Sequence, residues 1–160
     1  MITPGRFREF VNFCALQSGF LSAEMGFVSS INEGNVEFDH LNYFVDEFGW
    51  LDDERNYMEY NIVFHAFAAD RFDGDTMNMS QKAYKWGELG EKFDEFIDYL
   101  GTASKGRIKI VGNPTKKPDE DKIGNQDTLW LFIDNVKFRV FACKGGELTP
   151  LPEITPAPEV

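Results

Sequence analysis

The stretch that decides the fold is Tyr60-Asn61-Ile62-Val63-Phe64-His65-Ala66-Phe67-Ala68-Ala69, followed by Asp70-Arg71-Phe72-Asp73-Gly74-Asp75 and the run from Asn78 to Leu100. Strand side chains alternate with period two. Tyr60, Ile62, Phe64, Ala66 and Ala68 therefore share a fully apolar face, and Asn61, Val63, His65, Phe67 and Ala69 a mixed one. That pattern suits a central strand with one face covered by helices. Asp73-Gly74 is a turn signal, because Gly takes positive φ at no steric cost. Beyond it, Ala83, Trp86, Gly90, Phe93, Ile97 and Leu100 recur at helical spacing, widened by Leu89 and Phe96. The spacing predicts a helix from Asn78 or Ser80 to Leu100, stopped by Gly101. Gly87 and Gly90 each cost about 1 kcal/mol against Ala in a helix interior. Close approach to the sheet offsets the cost at Gly90, and Gly87 marks a potential break.

Upstream, Thr3 is an N-cap with Pro4 at the first helical position. Phe7, Phe10, Val11 and Cys14 form the stripe of a helix running to about Ser18 and ended by Gly19. Phe20 to Ile31 reads as a short helix or an irregular packed segment, because Gly26 interrupts its apolar residues. Asn32-Glu33-Gly34-Asn35 is a turn. Asn42 to Val45 is a short strand, with Val36 as an alternative start, and Asp52 to Arg55 a charged loop.

Downstream, Arg107 to Val111 is a short strand. Residues 112–127, with Pro114, Pro118 and many charges, read as a long loop of the kind that is often functional. Thr128 to Ile133 and Val136 to Ala142 flank Asp134-Asn135, a two-residue hairpin signal. Residues 145–160 carry Pro150, Pro152, Pro156 and Pro158 and read as an extended tail. The expected class is α+β: a mostly antiparallel sheet with an N-terminal helix and one long amphipathic helix on one face. A single domain spans 1–144.

At 160 residues and 42% hydrophobic content, one domain of this size buries about 70% of its unfolded surface without staples. The 16 Phe and three Trp favour a tightly packed fold or aromatic burial between subunits. A net charge of −11 argues against simple nucleic-acid binding and against anionic membranes. No run has the length of a membrane span. Cys14 and Cys143 lie far apart and read as free thiols, with a disulfide joining the termini as the alternative. Met1 to Arg6 has no leader pattern, so synthesis in cytoplasm is expected.

Chemistry-bearing patterns are sparse. His40 and His65 sit in no HxH or HExxH spacing, and there is no CxxC. His65 reads as a solvated or hydrogen-bonded strand residue. Asp70, Asp73 and Asp75 resemble an acidic metal loop. Gly74 falls between the second and third of them, and the twelfth position is Gln81, so the calcium-loop order fails and turn residues are expected. No phosphate-cradling glycine motif occurs. Ser18, Ser80 and Ser104 lack a nucleophile-elbow context. Glu91 and Glu95 fall on the solvent side of the helix. No catalytic, cofactor or metal residue is assigned.

The segment Val63 to Arg71, then Asp73-Gly74-Asp75, Asn78 and a long helix with Phe93 and Ile97, resembles tailed-phage proteins of the tail-terminator or tail-completion type. It is also similar to neck and tail structural proteins of Bacteroidetes-infecting phages. The likeness spans about residues 3 to 143 and leaves out the 112–127 segment and the tail. It implies a virion component without a catalytic group or cofactor. Such a protein forms a homo-oligomeric ring at the head–tail neck or tail end, and joins the tail tube to the connector. Its partners would be itself and adjoining neck and tail proteins, with DNA passing through the channel unbound and no membrane involved. Two alternatives remain. One is an acidic DNA mimic that inhibits a host nucleic-acid-binding or defence protein. The other is a small enzymatic or ligand-binding domain centred on Asp70, Asp73 and His65.

Overall fold

A computed structural model describes residues 3–31, 34 and 36–141. The fold is α+β, with two α-helices and a curled, mostly antiparallel six-stranded sheet among the described residues. Cys143 and the proline-rich 145–160 segment lie outside them.

Helix α1 is Pro4–Gln17. Thr3 caps it, its hydroxyl accepting from the Arg6 amide at 3.3 Å. Phe7, Phe10, Val11 and Cys14 are all buried, as the stripe requires. Cys14 is a free thiol pushed up to about pKa 12 by burial. Part of the irregular Phe20 to Ile31 segment is a strand, β1 (Ser22–Met25), followed by a single 3-10 turn at Val28–Ser30. β1 runs parallel to β2 (His40–Trp50), which starts between the two expected starts, Val36 and Asn42, and runs past Val45 to Trp50. β2 turns back through Asp52 to Arg55 into β3 (Tyr57–Ala69), the expected central strand. Its five apolar-face residues, Tyr60, Ile62, Phe64, Ala66 and Ala68, are each no more than 2% exposed.

The Phe72 to Asp75 turn closes with paired backbone bonds, Asp73 and Gly74 both holding positive φ. That is the conformation that favours Asp-Gly. Helix α2 (Met79–Ala103) then starts with a full capping box, in which Asn78 and Gln81 each accept the other's amide. It stays unbroken through Gly87, where a side chain would meet open space. At Gly90 a Cβ would stand 3.5 Å from Lys116 and 3.7 Å from Leu131, so the expected close approach is present. Gly101 does not stop the helix. The chain leaves it at Lys105 and Gly106, both with positive φ, and the Gly106 amide reaches back to the Gly101 carbonyl at 2.9 Å. Ala83, placed on the apolar stripe by spacing, is exposed, because the first turns of α2 overhang the core.

Two expectations fail after α2 and β4 (Ile108–Val111). The segment 112–127 contains a nine-residue strand, β5 (Thr115–Ile123), paired along its length with β6 (Gln126–Phe141). Every β5 residue before Ile123 is exposed, so its hydrophobic signal is absent. It is an edge strand protected by charges and Pro118. The Asp134-Asn135 hairpin is also absent. Both halves of β6 continue in one direction along β3, and Asp134 and Asn135 together oppose Val63 as a β-bulge. Before the bulge Leu129, Leu131 and Ile133 are buried, and after it Val136, Phe138 and Val140. That one-residue phase change imitates a turn in sequence. The bulge needs the positive φ that Asn135 supplies (60°). The sheet order is β1-β2-β3-β6-β4, with β5 beside the first half of β6.

The bulge makes a prediction. Asn135→Gly leaves stability nearly unchanged, whereas Asn135→Val lowers it by about 1–2 kcal/mol, the cost of a branched side chain in the left-handed region. Urea unfolding of the two variants measures the difference.

Candidate functional site

Helix α2 is fastened to the sheet by side chains from both elements. Phe93 and Phe96 meet Phe64 at 5.1 and 5.8 Å between ring centroids. Its lysines form a second fastening. Lys85 reaches the buried Asp39 at 3.0 Å, and Lys92 bonds the same carboxylate. Lys82 bonds Glu120 of β5 and lies 3.5 Å from Asp70. Lys116 of β5 returns the contact, to Asp94 at 2.7 Å.

Asp70, the first of the three turn aspartates, is thus a structural anchor. Besides pairing with Lys82, it accepts the Met77 amide at 3.2 Å. Asp73 and Asp75 are exposed in the turn. No group of three or more metal-ligating side chains converges among the described residues.

His65 and His40 lie on the mixed face of the sheet. His65 packs between aromatic rings, at 5.9 Å from Phe67, 5.9 Å from Trp130 and 4.8 Å from Phe132. His40 stacks on Phe67 at 6.0 Å and is 2% exposed. Its Nδ1 lies 2.6 Å from the Ser22 hydroxyl, which accepts the Glu37 amide and donates to the Glu37 carbonyl. That arrangement satisfies every partner when Nδ1 carries the proton, leaving Nε2 a buried acceptor without a hydrogen bond. A cleft of about 390 Å3 lies beside it, lined by Ser22, Glu24, Ser30, Ile31 and Asn42 among others. Ser22 and Glu24 share this cleft with His40, and the Ser22 hydroxyl is engaged with the Glu37 backbone.

What this face does present is aromatic surface. Phe44, His65, Trp130 and Phe132 are half-buried, and Phe27, 61% exposed, rests on Phe44 at 4.5 Å. On α2, Tyr84 is 81% exposed beside Ala83 and Gly87, on a shallow groove that also touches Glu88 and Glu91. Apart from His65, which the ligand-binding alternative named with Asp70 and Asp73, sequence reasoning assigned none of these to a site. The signal for the first group was present: in Thr128 to Ile133 both alternating faces are largely apolar, more than a half-exposed strand needs. Tyr84 gave none, being a lone aromatic off the helical stripe.

No protein-family model matches the chain, and no curated protein matches it.

Burial lowers the pKa of both His40 and His65 below the usual histidine value. The unfolded chain then binds more protons than the folded one just below about pH 6.5, so stability falls as pH drops through that value. Thermal unfolding from pH 7.5 to 5 displays the decline. His65→Phe, which keeps the ring packing and removes one titrating group, makes it shallower.

Proposed function

We propose that this chain is a non-enzymatic structural subunit of a tailed-phage virion, of the tail-terminator or tail-completion type. In this reading it forms a ring at the head–tail neck or tail end and joins the tail tube to the connector. In this reading both helices cover the same face of the sheet, supported by Phe7 stacked on Tyr60 and by Phe93 and Phe96 against Phe64. The opposite face is left for neighbouring subunits or adjoining neck and tail proteins.

The observation that carries this reading is the aromatic surface on that opposite face: Phe27, Phe44, His65, Trp130 and Phe132. Partly exposed aromatics grouped in this way mark protein interfaces more often than isolated surface residues do. The resemblance of the strand, acidic turn and long helix supplies the virion setting. The acidic balance of the chain supports a DNA channel that does not hold its cargo, since like charge suppresses binding. Ion-paired Asp70, exposed Asp73 and Asp75, and ring-packed His65 favour scaffolding over catalysis.

The test has two arms. Mass spectrometry of purified particles whose genome encodes the chain detects it at a fixed, ring-like copy number. Light scattering of concentrated protein shows self-association, which Trp130→Ser with Phe132→Ser weakens at least tenfold while circular dichroism stays native. Absence from particles, together with a monomer at every concentration, rejects the proposal.

A further inference from the structure

The chain is acidic, yet four of its cations are gathered in one place. Lys109 of β4 stands directly opposite Arg139 of β6, Lys137 is two residues along β6, and Arg107 immediately precedes β4. On these strands Ile108, Phe138 and Val140 are buried, so alternation sends Lys109, Lys137 and Arg139 to the other face. Tyr57 and Phe141, in edge contact at 5.5 Å, complete a cleft of about 330 Å3 with Arg107, Lys109 and Arg139. Glu59 lies 3.4 Å from Arg139. Like charges directly opposite in a sheet destabilise it. Lys109 against Arg139 is therefore a cost that the folded chain carries.

Helix α2 bears the opposite pattern. Tyr84, Glu88, Glu91, Glu95 and Asp98 follow at spacings of four, three, four and three, and all five are exposed. Glu88 is shared by Lys85 and Lys92. Glu91, Glu95 and Asp98 have no ion pair among the described residues. Like charges at this spacing repel, and Asp98 lies toward the helix C-terminus, where the macrodipole also disfavours it. The helix turns Phe93 and Phe96 toward Phe64, and Phe64 also meets Phe138. The acidic stripe and the cationic cleft thus lie on opposite sides of the molecule.

We infer that the cleft formed by Tyr57, Arg107, Lys109, Arg139 and Phe141 receives the acidic outer stripe of α2 from a second copy of this chain. Docking relieves both repulsions at once and buries Tyr84 beside two aromatic rings. Because the two surfaces differ and lie on opposite sides, the contact is head-to-tail, and repetition closes a ring or extends a filament. This inference rests on the ring reading above and names the surfaces that would make it.

Charge reversal tests it on the full chain, by light scattering and native mass spectrometry. Lys109→Glu with Arg139→Glu, and separately Glu91→Lys with Glu95→Lys, each weaken self-association at least tenfold. Mixing the two double variants, or combining all four changes in one chain, restores it. Raising salt from about 0.1 M to about 1 M, which shortens the screening length from roughly 10 to 3 Å, weakens the wild type in the same way. If the wild type assembles and both double variants assemble equally well, the inference is overturned while the ring reading stands. If the wild type never associates, the inference is overturned, and the ring reading falls with it when the chain is also absent from particles. If Lys109→Glu with Arg139→Glu abolishes binding of a single-stranded oligonucleotide and leaves assembly intact, the cleft belongs to phosphate and the inference is again overturned.

Discussion

The packing of Phe64 is the constraint on which the other elements depend. Its ring lies at the middle of the central strand and meets Tyr43 of β2, Phe138 of β6, and Phe93 and Phe96 of α2, all within about 6 Å between centroids. One buried side chain thus ties three strands to the long helix. Removing a phenylalanine from such a position costs about 3–5 kcal/mol, set against a total stability of about 5–15 kcal/mol for a typical domain. The lysine contacts of α2 add position more than energy. Lys85 and Lys92 converge on a single buried carboxylate, so Asp39 fixes where the helix lies along the sheet.

Around Phe64 the sheet is bent by two bulges that meet β3 at nearly the same point. One lies in β2 between Val45 and Glu47, the other in β6 at Asp134 and Asn135, opposite Asn61 to Val63. Bulges increase local twist. Here they also keep the buried face in phase across strands 11 to 16 residues long. The mixed face is divided in consequence. On one side of the bulges it carries His65, Phe67, Trp130 and Phe132, and on the other Glu59, Lys137, Arg139 and, from β4, Lys109. A single sheet surface thus presents an aromatic half and a charged half.

The parts of this architecture that were legible in sequence are those where burial writes a period. α1, β3 and α2 follow from their stripes, and the cap of α1 from Thr3. β5 was illegible because an exposed edge strand need not be apolar: Lys116, Lys117, Asp119, Glu120 and Asp121 carry loop chemistry, and only backbone pairing to β6 makes them a strand. The bulge was misread because Asp-Asn with a phase change serves a turn and a bulge equally well, and the distinction lies in the partner strand. The charged surfaces were half legible. The acidic stripe of α2 can be read from spacing, but the cationic cleft joins Tyr57 and Arg107 to Arg139 and Phe141 across three strands, which no local window contains.

The distribution of charge on α2 connects the fold to the proposed role. Lys82, Lys85 and Lys92 all reach carboxylates, on Asp70, Glu120 and Asp39, in the segments packed beside the helix. A helix whose cations hold it in place leaves Glu91, Glu95 and Asp98 without an ion pair among the described residues. For a monomer this is poor economy, since swapping a few of the outer glutamates for lysines would supply i,i+4 pairs worth about 0.2–0.5 kcal/mol each. The same holds for Lys109 facing Arg139, where one acidic residue would turn repulsion into attraction. Each arrangement is unfavourable alone and favourable against the other. The proposed head-to-tail contact would pair these residues with one another, which the isolated subunit does not do.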